Sequence, residues 1–93
     1  MSEAPTVTIE DHGRCGLIWY REGVKTILFD WELCGTYVAE IWPRSLQELK
    51  SEEIWPASRI PEILDFVARE VVSKRANGCS YQKDLNSCRI FIT

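Results

Sequence analysis

Ninety-three residues are enough for one hydrophobic core and no second one. Hydrophobic residues make up 45% and charged ones 27%, which excludes a chain disordered by composition. Eleven basic against 14 acidic side chains give a net charge of -3, so a general phosphate-backbone binder is disfavoured. No apolar run approaches the ~18 residues of a membrane-spanning helix.

The first five residues, Met1-Ser2-Glu3-Ala4-Pro5, lack the basic and apolar regions of a signal peptide and read as a disordered tail. Residues 6–93 then read as a single cytoplasmic domain. Thr6-Val7-Thr8-Ile9 alternates polar and apolar, the pattern of a short strand. A polar turn follows at Glu10-Asp11-His12-Gly13-Arg14. Two β-rich runs around Glu22-Gly23 read as a hairpin, Leu17–Tyr20 on one arm and Lys25–Leu33 on the other. Cys34-Gly35 reads as a second tight turn, and Thr36–Trp42 as the next strand. Pro43 ends that strand, because proline cannot donate to a ladder.

Ser45-Leu46-Gln47-Glu48 has the form of a capping box, with a short helix over about Leu46 to Glu52. The clearer helix follows Pro56, with Ser58 as its expected cap and Pro61 in its first turn. Ile60, Ile63, Leu64, Val67 and Val71 recur at helical spacing and form one apolar stripe, with Asp65 on the far side. Ala76-Asn77-Gly78 is its stop signal. The tail supplies a closing hairpin, Cys79–Gln82 and Cys88–Ile92. Helix and strands together predict an α+β domain. An antiparallel meander of about four to six strands packs against one main amphipathic helix, in the order β-β-β-β-(short α)-α-β-β. Ile41-Trp42-Pro43 and Ile54-Trp55-Pro56 read as two corners, each burying a tryptophan.

The chemistry-bearing residues are few. Cys15, Cys34, Cys79 and Cys88 have no C-x-x-C spacing and no signal peptide ahead of them, so buried free thiols are expected. A Cys79–Cys88 bridge is the other reading, and zinc has too few histidines to serve it. The single histidine, His12, sits in a polar turn, which leaves a Ser or Cys nucleophile without a general base. No nucleotide-binding glycine loop occurs. No catalytic residue, metal ligand or cofactor is therefore assigned, and an enzyme is the less favoured reading.

Tyr20-Arg21-Glu22-Gly23, Phe29-Asp30-Trp31-Glu32, Arg59-Ile60-Pro61-Glu62-Ile63-Leu64 and Ala68-Arg69-Glu70-Val71 resemble a group of small bacterial proteins encoded among mobile integron gene cassettes. The resemblance spans roughly residues 17 to 76. It implies a bacterial cytoplasmic protein and supplies no catalytic residues.

Two-residue loops at Glu22-Gly23 and Cys34-Gly35 set a register in which Ile18, Tyr20, Ile27, Phe29, Trp31, Leu33, Val38 and Trp42 share the face beneath the helix. The opposite face then collects Leu17, Trp19, Val24, Leu28, Asp30, Glu32, Tyr37, Ala39 and Ile41. One helix cannot cover both faces. Either the short helix and tail hairpin fold over the second face, or a partner does. Trp19, Leu28, Asp30, Glu32, Tyr37 and Ile41 are thus the candidate binding residues. Aromatic and apolar groups set among a few polar ones are typical of interfaces and pockets. Asp30 and Glu32, two apart on a strand, point the same way. They suit a hard cation or acid–base chemistry, or else form the solvated end of the strand or pair with Arg14 or Arg44.

Charge is unevenly spread. Five basic and ten acidic side chains up to Ser58 leave -5, while six against four from Arg59 onward leave +2. That split suits self-association or a basic partner. The first function read from the sequence is a protein–protein interaction module, in its simplest form a homodimer. The second is a small-molecule binder or minor enzyme around Trp19, Tyr37, Asp30 and Glu32. Nucleic acid ranks below both, and no membrane partner is expected.

Overall fold

A computed structural model describes residues 4–35, 38–51 and 53–93. Six strands form one antiparallel sheet: β1 Thr6–Asp11, β2 Cys15–Glu22, β3 Lys25–Leu33, β4 Ala39–Pro43, β5 Tyr81–Asp84 and β6 Arg89–Ile92. Their spatial order is β1-β2-β3-β4-β6-β5. Helix α1 (Leu46–Leu49), a 3-10 turn (Ala57–Arg59) and helix α2 (Ile60–Arg75) connect β4 to β5. The α+β meander with one main helix is the predicted architecture. Of the expected tail, residues 1–3 lie outside the described residues.

Alternation decides which side chains reach the helix. Val7, Ile18, Tyr20, Ile27, Phe29, Ala39, Ile41, Ile90 and Ile92 are buried on one face, against Ile60, Ile63, Leu64, Val67, Ala68 and Val71 of α2. Val67 and Leu64 are fully enclosed. Leu64→Ala or Val67→Ala is therefore expected to cost about 2–4 kcal/mol in denaturant melts. Asp65 is not on a free side of the helix. It accepts hydrogen bonds from the Tyr81 hydroxyl at 3.1 Å and pairs with Lys83 at 2.9 Å, both on β5. Asp65→Ala should thus cost about 1 kcal/mol.

The β2–β3 turn is Gly23-Val24, since Glu22 pairs with Lys25. Gly23 has φ +62°, which a two-residue hairpin turn requires at its first central position. The register shifts by two residues from that expected, so the faces are preserved, but Trp19 opposes Leu28 rather than Thr26. The β3–β4 connection is not the two-residue turn expected at Cys34-Gly35. It runs over residues 34–38, closed by Cys34 N–H to the Val38 carbonyl at 3.3 Å, and Leu33 pairs with Ala39.

That change inverts β4. Ile41 and Ala39 enter the core, and Trp42 turns to the opposite face, half-buried. The physical reason is Glu40. The expected register would have placed its carboxylate opposite Phe29 in the core, where an uncompensated charge is costly. The observed one leaves it outside, paired with Arg89. Of the two Ile-Trp-Pro corners, only the second buries its tryptophan, Trp55 being 1% exposed.

Ser45 caps α1 as expected, its hydroxyl accepting from Glu48 N–H at 3.1 Å. Ser58 does not cap α2. It lies within the 3-10 turn, whose Arg59 N–H to Pro56 carbonyl bond at 2.8 Å already engages a donor at the helix entrance. Leu49 and Trp55, from the segment between β4 and α2, close one end of the core, where Tyr20 meets Trp55 and Phe66 edge-on. All four cysteines are free, but only Cys88 is buried.

Beside this aromatic cluster, Glu22 accepts from Arg59 at 2.6 and 3.0 Å and from the Tyr20 hydroxyl at 3.0 Å. The Arg59 hydrogen bonds hold the Glu22 carboxyl below its ordinary range. Burial, aided by Glu22, pushes the Tyr20 phenol up to about 12. A raised folded-state value means stability that is complete below the unfolded value of 10.0 and lost as pH rises through about 12. Between those limits wild type should lose on the order of 2 kcal/mol more than Tyr20→Phe, read from urea melts.

Candidate functional site

The tail hairpin does not fold over the second sheet face. It extends the sheet instead, β6 pairing with β4 through Ala39↔Ile92 and Ile41↔Ile90. The segment between β4 and α2 sends Leu49 and Trp55 into the same core as α2. The second face is therefore left without a covering layer among the described residues.

Four candidate residues lie on it: Trp19 on β2, and Leu28, Asp30 and Glu32 alternating along β3. Thr8, Trp19 and Leu28 form one cross-strand row. Leu17, Asp30 and Trp42 form the next. Ile41 belongs to the opposite face, fully enclosed, and Tyr37 lies outside the described residues. Trp42 is the residue that sequence reasoning missed. Placing Glu40 outside would have revealed it, because its neighbour but one in the alternation must then point the same way.

Leu17, Trp19, Leu28 and Trp42 are all half-buried, a density of apolar groups unusual for the solvent face of a sheet. Polar groups are threaded between them. Arg44 binds Asp30 with two hydrogen bonds, 2.8 and 3.2 Å. Arg89 pairs with Glu40 and lies 5.7 Å over the Trp42 ring. Arg21 lies 5.1 Å over Trp19, whose indole N–H donates to Glu10.

Asp30 is thus committed to a guanidinium, one of the ion pairs expected from sequence. Among the described residues no group of three or more His, Cys, Asp or Glu side chains could hold a metal ion. His12 is exposed in its turn, 3.8 Å from Glu10, and its backbone N–H donates to the Cys15 carbonyl at 2.8 Å.

Charge runs along the strand direction. Glu32 and Glu40 sit directly opposite each other at one end of the face. Arg21, between Thr6 and Thr26, marks the other end, with Arg44 beyond Leu28. Glu40 is neutralised by Arg89 and Arg44 by Asp30. Among the described residues Glu32 and Arg21 have no oppositely charged partner. The face is acidic at one end, basic at the other and aromatic in the middle.

The chain matches no protein-family model, no curated protein and no solved structure. Among the described residues no helix is long and apolar enough to cross a membrane.

Proposed function

We propose that the protein works by association through its open sheet face, two copies stacking into a β-sandwich. The carrying observation is the pair of rows holding half-buried Leu17, Trp19, Leu28 and Trp42, with no layer over them among the described residues. Stacked sheets pack about 10 Å apart with their inner side chains interdigitated, which is the environment such a row suits. A specific interface buries about 800 Å² per partner. That is roughly one-seventh of the 5671 Å² accessible surface, within the reach of one broad face of a molecule 37 × 26 × 22 Å.

A second copy is favoured over an unrelated partner by the charge pattern. A two-fold axis lying in the interface, across the strands, reverses the strand direction of the second sheet. Each copy's Arg21 end then meets the other's Glu32 end, and the aromatic rows meet in the centre. Such an isologous contact is self-complementary. The reading makes this a non-catalytic, cytoplasmic interaction module, in keeping with the resemblance to gene-cassette proteins, which supplies no catalytic residues.

Charge reversal tests the arrangement. Arg21→Glu and Glu32→Arg should each weaken the dimer about five- to tenfold at low salt, and the double variant should recover to within about twofold of wild type. Losses that add in the double variant, measured by sedimentation equilibrium, would contradict the reversed stacking.

A further inference from the structure

The helix-side layer of the molecule holds a second feature, unrelated to the open face. β3 is nine residues long and α2 sixteen, about 30 Å of strand against about 24 Å of helix. The helix stops at Arg75, and Gly78 at φ +93° turns the chain away. The sheet runs on past it. Among the described residues nothing covers the sheet at that end, and Leu33 is 37% and Val38 41% exposed.

The result is an apolar cleft of about 220 Å³. Ile18 and Ile41 form its floor, Trp31 one wall and Val71 another. Trp31 is fixed, because its indole N–H donates to the Glu10 carbonyl at 3.1 Å across Gly16. At the rim Arg75 and Asp11 pair at 3.0 Å. An apolar cavity of about 150 Å³ already takes up benzene, and drug-sized ligands need pockets above about 300 Å³. The space between those limits is that of one bicyclic ring.

We propose that this cleft is a binding site for a small uncharged ring compound carrying one hydrogen-bonding group. The ring fills the space against Trp31, Ile18, Ile41 and Val71. The polar group reaches the Asp11–Arg75 pair, which offers a donor and an acceptor and no net charge. A ligand carboxylate at Arg75 also meets the Asp11 carboxylate, and a ligand ammonium at Asp11 also meets the Arg75 guanidinium. Each ion faces a like charge at the rim, so neutrality is the selectivity rule of the site.

The test is titration calorimetry at pH 7 with three probes of one size: 2-naphthol, 2-naphthoate and 2-naphthylmethylammonium. The expected result is saturable one-to-one binding of 2-naphthol, at least tenfold tighter than either ion. No saturation up to the solubility limit, or an ion that binds as tightly as 2-naphthol, overturns the proposal. Ala39→Leu adds bulk to the lining of the cleft and Ala76→Leu to its half-buried mouth. Either variant, folded by circular dichroism, should weaken 2-naphthol binding at least tenfold, whereas Trp19→Ala on the opposite face should leave it unchanged. Wild-type affinity in a folded filled variant, or loss of binding in Trp19→Ala, places the probe elsewhere and refutes the site.

Discussion

Trp19→Ala is expected to leave a folded monomer and weaken self-association by about 30-fold or more. The indole is half-buried on the open face, between Thr8 and Leu28 in the cross-strand register, with Arg21 stacked at 5.1 Å. None of these contacts belongs to the core on the other side of the sheet, so the fold should lose only about 1 kcal/mol. In a face-to-face dimer the same ring lies near the centre. Truncating a central tryptophan commonly costs 2 kcal/mol or more of binding free energy. Trp55 is the control. It is 1% exposed and packs edge-on against Tyr20 at 5.8 Å, so Trp55→Ala should cost about 3–5 kcal/mol of stability. Light scattering and thermal melts on the two variants separate the roles. A Trp19→Ala protein that melts like Trp55→Ala would mean that the open face is part of the core.

Gly16→Ala should be among the most destabilising single-methyl additions in the chain, at about 3 kcal/mol or more. The position pairs with Asp11 on one side and Trp31 on the other. A Cβ there would stand 1.9 Å from the Glu10 carbonyl oxygen and 2.8 Å from Trp31 Nε1. The first obstacle is backbone in the β1–β2 ladder and cannot swing away. The second is the ring that crosses over Gly16 to reach the same carbonyl. Relief requires pulling β1 from β2 or breaking the Trp31 hydrogen bond, and overpacking of this kind usually costs 1–3 kcal/mol before any lost bond is counted. Gly13→Ala provides the comparison. Nothing lies within 4 Å of its Cβ, so its cost comes only from φ +90°. Equal losses at the two positions in urea melts would contradict the steric account.

The contrast between these glycines shows where sequence patterning stops. Periodicity and turn residues together placed the α2 stripe, a meander of four to six strands and the antiparallel class, because each element repeats its own signal over several residues. Single-residue loop lengths carry no such redundancy. The hairpin loop sits one position later than the Glu22-Gly23 pattern suggested, and the error was harmless because it moved the register by an even number. The β3–β4 connection differed by an odd number and inverted β4, exchanging Ile41 for Trp42 on the open face. The cost of burying Glu40 was the available clue. Trp19, Leu28, Asp30 and Glu32 kept their places because β2 and β3 are long and strongly alternating. Asp65 was misread because a half-polar helix flank gives no sign of Tyr81 and Lys83, which reach it from the far end of the chain. The cleft beyond α2 is equally invisible in the pattern, since it depends on where a helix ends relative to a sheet.

The most direct measurement is the molar mass of the wild-type protein in solution across a range of concentrations, by sedimentation equilibrium. Association through the open face requires a mass approaching twice the 10.8 kDa of one chain as concentration rises, and a return toward 10.8 kDa in Trp19→Ala. A wild-type mass fixed at one chain up to about millimolar concentration, the 1 mM scale of the weakest useful affinities, would contradict it.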